Sequence, residues 1–128
     1  MKPIRLLAAS FTLAQLMITA GGALAAEPPV RKADGVLVNT AGMTLYTFDK
    51  DTAGSGKSAC NDACAALWPP LKAEAADAPS GGYAVVTRDD GSRQWAYQGK
   101  PLYLYAKDAK PGERKGDKVM DVWHVVSD

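Results

Sequence analysis

Two cysteines, one histidine and scattered carboxylates and methionines are the residues of this 128-residue chain with chemistry to offer. Cys60 and Cys64 stand four apart. One helical turn would set their Cα atoms near the upper end of the ~4.4–6.8 Å disulfide window, so a bridge requires a distorted turn or a helix terminus. Closing so short a loop contributes about 2 kcal/mol in chain-entropy terms, which describes a local staple. Exchange enzymes of the familiar kind use Cys-x-x-Cys at a helix start inside a βαβ unit, and neither feature is present. A redox or metal-handling accessory that uses Cys60 and Cys64, with His124, is therefore the alternative reading.

His124 is the only histidine. Met120 is four residues before it, and on an extended strand that spacing separates the two by about 13 Å on one side. His124 and Met120, with Met43, are weak metal candidates, and a solvated strand histidine is the plainer reading. Residues 49–54 open like a calcium loop, but the position that requires a bidentate Glu is Cys60, so turn carboxylates bonding backbone N–H groups fit better. Gly54-Ser55-Gly56-Lys57-Ser58 resembles the end of a P-loop, yet Asp51 stands where its first glycine belongs. A lone histidine supports no nucleophilic triad, and Asp89-Asp90 falls on a turn where solvent keeps carboxylates ordinary. The residues imply no cofactor.

The elements that position these residues read as short strands and turns. β-prone runs occupy 35–39, 43–48, 83–88, 92–97, 102–106 and 121–126. Residues 40–42 and Asp89-Asp90-Gly91 join two pairs of them as hairpins. Residues 58–68 are Ala-rich and predict one short helix that carries the cysteines, capped by Ser58 or Asn61 and stopped by Pro69-Pro70. Residues 27–34, with Pro28-Pro29, read as a tether.

Ahead of the tether, Lys2 and Arg5 precede an uncharged apolar run and then the small residues 21–26, which is the order of a secretory signal peptide over 1–26. Ser10, Thr12, Gln15 and Thr19 dilute that run below the ~20 strongly apolar residues of a membrane span. No cysteine stands near the cleavage site to take a lipid. Removal of this segment leaves 13 basic against 14 acidic residues. With basic residues scattered rather than striped, nucleic acid is an unsuitable partner. The expected setting is the periplasm or the exterior, where two cysteines pair by default.

An internal repeat organises the exported part. Residues 42–51 and 99–108 share Gly, Leu, Tyr, an aromatic, Lys and Asp at a constant offset of 57. Each copy is followed by a tryptophan, Trp68 or Trp123. Period two places Tyr46 with Phe48, and Tyr103 with Tyr105, on one strand face, opposite Leu45, Leu102 and Leu104. Burying such rings contributes roughly 2–3 kcal/mol each, which favours a shared aromatic core over an exposed recognition face.

With its Tyr46-x-Phe48-x-x-Asp51 and Tyr103-x-Tyr105-x-x-Asp108 strands, the Cys60-x3-Cys64 segment running into Trp68-Pro69-Pro70-Leu71, and Trp123, the chain resembles the bacterial secreted-repeat lipoproteins described by a Yx(FWY)xxD motif. The resemblance covers about 33–126 and implies export but no particular activity. The second copy has no cysteine pair, so only the first half can form the bridge. The expected architecture is α+β: a small domain over 35–128, rich in antiparallel hairpins, built from two pseudo-equivalent halves (about 35–71 and 83–126). The expected role is a non-catalytic binding or interaction module for an envelope protein or small ligand.

Overall fold

Alternating apolar residues and tight Gly turns make short antiparallel strands throughout the computed structural model, which describes residues 27–74, 77 and 79–127. The expected signal peptide lies outside the described residues. Strands β1 (Val30–Ala33) and β2 (Val36–Asn39) form a hairpin through Asp34-Gly35, where both residues take positive φ. Part of the segment read as a tether is therefore strand: Val30, Arg31, Lys32 and Ala33 pair with β2, and Val30 packs on the core. The Pro28-Pro29 signal marked the start of an edge strand rather than a linker.

After β2 the chain turns tightly. Asn39 Oδ1 accepts from the amides of Ala41 and Met43, both at 2.9 Å. The expected hairpin with 43–48 is brief. Thr44 bridges Val38, and β3 (Tyr46–Phe48) then leaves to pair with β8 (Trp123–Val125). Helix α1 covers only Ala63–Leu67, with Asp62 at its N-cap and no side-chain cap bond. Ser58 and Asn61, the expected caps, bond elsewhere.

Strands β4 (Lys72–Ala73), β5 (Tyr83–Thr87), β6 (Arg93–Tyr97) and β7 (Lys100–Pro101) make the largest sheet, with the β5–β6 hairpin where Asp-Gly placed it. Of the strand expected over 102–106 only Tyr103 pairs, bridging Tyr46 on one side and Pro70 on the other, while β7 lies just ahead of it. The strand expected from 121 begins at Trp123, because a short 3₁₀ turn, Val119–Asp121, precedes it. Met120 sits on that turn, 84% exposed.

The central strands of the two halves make equivalent backbone bonds. Leu45 N donates to Leu37 O as Leu102 N donates to Trp95 O. Leu37 N donates to Val126 O as Trp95 N donates to Leu71 O. Each half's closing segment thus crosses to the other half: 71–73 completes β6, and 126–127 completes β2. The pseudo-twofold passes between Tyr46 and Tyr103, whose amides and carbonyls bond reciprocally at 2.8 and 2.9 Å. One face of these central strands buries Leu37, Leu45, Leu71, Trp95, Leu102 and Val126. The other buries the aromatics with Cys60.

Candidate functional site

Tyr46, Phe48, Trp68, Tyr103, Tyr105 and Trp123 meet in the second core. Four of them form one continuous stack in the order Phe48, Trp123, Trp68, Tyr105. The ring centroids lie 4.1, 3.8 and 4.0 Å apart. The two indoles at its centre are nearly parallel, at 2°. Tyr46 meets Trp68 edge-on and Tyr103 meets Trp123 edge-on, so the symmetry extends to the T-shaped contacts.

The motif carboxylates are exchanged between copies. Tyr46 donates its hydroxyl to Asp108 Oδ2, and Tyr103 donates to Asp51 Oδ2, both at 2.6 Å. Each Asp also accepts a backbone amide from its own loop, Ala59 to Asp51 and Lys115 to Asp108. Burial first, and the carboxylate partner second, hold both phenols well above the usual tyrosine range. Burial also raises Asp51 against the opposing pull of Tyr103, the Ala59 amide and the Arg88 charge. Tyr46, Tyr103 and Asp108 are buried and Asp51 half-buried, and their exchanged bonds interlock the halves.

The copies differ around the tyrosine hydroxyls. Gly116 N donates to Tyr46, and a Cβ on Gly116 would stand 2.8 Å from Trp68. In the other copy Ser58 Oγ lies 2.6 Å from the Tyr103 hydroxyl. Ser58 also accepts from Arg88, which is 4% exposed and donates further to Gln94 Oε1, Cys60 O and Asn61 Oδ1. Arg88 was invisible to sequence reasoning because, Gln94 apart, its partners Ser58, Cys60 and Asn61 lie far along the chain. Cys60 and Cys64 form a disulfide with Cα atoms 5.2 Å apart. Cys60 precedes the helix, which supplies the distorted turn such a bridge requires.

A second asymmetry is at the surface. His124 Nε2 lies 2.8 Å from Asp49 Oδ2, across the β3–β8 pair. They line a cleft of about 300 Å³ with Thr47, Tyr97, Gln98 and Lys100. Positions equivalent to Thr47, Asp49 and His124 in the other copy are Leu104, Ala106 and Pro69. Laying one repeat on the other was the available sequence signal for this pair. Among the described residues no group of three or more His, Cys, Asp or Glu side chains could hold a metal ion. Met120 and Met43 do not line this cleft.

The model of a family described as a secreted repeat of unknown function matches residues 29–72 and again residues 84–127. The chain belongs to this secreted-repeat family. The two matches are the two halves of the fold, and the first includes β1. No curated protein and no solved structure matches the chain. Among the described residues no helix is long and apolar enough to cross a membrane.

Proposed function

We propose that this secreted-repeat protein works in the periplasm or outside the cell as a non-catalytic binding module, with the His124–Asp49 cleft as its recognition site. The observation that carries this reading is the internal comparison. Two copies share one scaffold, and the polar set Thr47, Asp49 and His124 occurs in only one of them. The fold therefore does not depend on it. Nor does stability account for it: the pair's side chains are 40% and 49% exposed. Even a full ion pair so exposed would contribute at most about 1 kcal/mol. Concave polar groups beside an aromatic ring, here Tyr97, suit a small polar ligand or a partner's side chain.

The test is amide NMR of the mature protein against a panel of envelope saccharides and peptidoglycan stem peptides. Shifts should be confined to residues 47–49, 97–100 and 124–127, and should vanish in His124→Ala. That variant should retain stability to within about 0.5 kcal/mol, as expected for a surface change. Shifts that persist unchanged in His124→Ala, or that map to the opposite face, remove the cleft from the reading.

A further inference from the structure

We propose that the Cys60–Cys64 disulfide is an exchange centre that oxidises external thiols, with Cys64 as the sulfur attacked and Cys60 as the leaving group, favoured by Arg88. Three observations support this independently of the cleft. The second copy connects Asp108 to Trp123 through a short 3₁₀ turn and no cystine, so a repeat half closes without a bridge. The two sulfurs are placed differently: Cys60 is fully buried against the aromatic core, whereas Cys64 is half-buried on a helix with no buried residue. And a buried guanidinium is built onto the leaving residue. Arg88 donates to the Cys60 carbonyl and to Ser58 Oγ, which in turn accepts the Cys60 amide at 3.1 Å.

Those contacts of Arg88 are to neutral oxygens. Two carboxylates feel its charge: Asp51, reached through Ser58 and the Tyr103 hydroxyl, and Asp90. A thiolate formed at Cys60 adds an anion on the residue whose carbonyl this cation already holds. Burial disfavours a thiolate and a neighbouring guanidinium favours it. A thiolate that leaves well makes its disulfide the more oxidising member of an exchange.

The step balances with a thiol as the named reductant. An external thiolate, its proton released to water, bonds to Cys64 Sγ. The Cys60–Cys64 bond breaks, and its electron pair departs on Cys60 Sγ. A second thiolate attacks the mixed disulfide, releasing the external disulfide and the Cys64 thiolate. Two external thiols are oxidised and one bridge is reduced.

The test uses the mature protein. Cys60→Ser and Cys64→Ser each leave one thiol, and iodoacetamide should modify Cys64 at least about tenfold faster than Cys60. Equal rates, or the reverse order, overturn the assignment. Oxidised glutathione should form a mixed disulfide at the Cys64 thiol of Cys60→Ala, releasing one reduced glutathione, and dithiothreitol should open the wild-type bridge while the amide spectrum stays folded. A bridge that opens only when the protein unfolds sinks the proposal. Arg88→Met should move the reduction midpoint to an about tenfold higher ratio of reduced to oxidised dithiothreitol, and Arg88→Lys should restore part of that shift. An unmoved midpoint removes Arg88 from the mechanism. Should Arg88→Met fail to fold, the two single-cysteine rates still decide which sulfur is open to attack.

Discussion

At the level of single residues, the unusual feature is that each motif tyrosine is completed by the other copy's aspartate. The Tyr46–Asp108 bond is buried and the Tyr103–Asp51 bond half-buried; both are charge-assisted and 2.6 Å long. Removing one partner leaves a desolvated oxygen behind, so Tyr46→Phe or Asp108→Asn alone should cost about 1–3 kcal/mol. The exchange makes a sharper forecast possible. A double-mutant cycle on Tyr46 and Asp108 should give a coupling of about 1–3 kcal/mol, whereas the same-copy pair Tyr46 and Asp51 should couple by less than about 0.5 kcal/mol. Urea unfolding of the variants measures both. Equal couplings in the two cycles would mean that the carboxylates act as general polar ballast rather than as specific partners.

Among the elements, the sequence was most legible where a local pattern suffices. Asp-Gly fixed the β5–β6 hairpin, period two separated the Leu face from the aromatic face, and Cys60-x3-Cys64 fixed the bridge. Illegible were features set by partners far along the chain. β1 exists because β2 offers it an edge, and 102–106 is not a full strand because Tyr103 lies between Tyr46 and Pro70. Exchange of the closing segments 71–73 and 126–127 has no local signature at all. Nor has the loop carrying Gly116, whose importance is steric: an added Cβ would stand 2.8 Å from two Trp68 atoms and 2.9 Å from Tyr46 Cζ. Trp68 is held between Trp123 and Tyr105 in the stack, and Tyr46 by its edge-on contact with Trp68 and its bond to Asp108, so neither ring can retreat. Gly116→Ala should therefore destabilise by about 1–3 kcal/mol, the usual range for overpacking, read as a lowered urea midpoint with unchanged slope. A midpoint equal to wild type would show that the loop yields where the rings do not.

For the whole molecule, exchange means that neither half holds a finished sheet or a satisfied motif tyrosine by itself, so unfolding is expected to be all-or-none. That cooperativity ties the buried phenols to global stability. Tyr46 and Tyr103 keep their protons in the fold beyond the range in which an unfolded tyrosine loses its own, and burial raises Tyr83 as well. Above about pH 10 the unfolded chain therefore binds fewer protons than the native one, and stability falls as pH rises. Two such groups give a slope of up to about 2.7 kcal/mol per pH unit, fully absent below that range. Asp51 follows the same sign at the acid end: its raised pKa favours the native state at low pH, and that advantage is lost as pH climbs through its native value. Tyrosinate absorbance near 295 nm, followed together with far-ultraviolet circular dichroism, checks the alkaline limb. Of the five tyrosines in the chain, Tyr46 and Tyr103 should ionise only in the step in which the dichroism collapses. A smooth titration of all five near pH 10 with the dichroism intact would mean that the phenols reach solvent without disassembly, and that the two halves are less firmly joined than their exchanged bonds require.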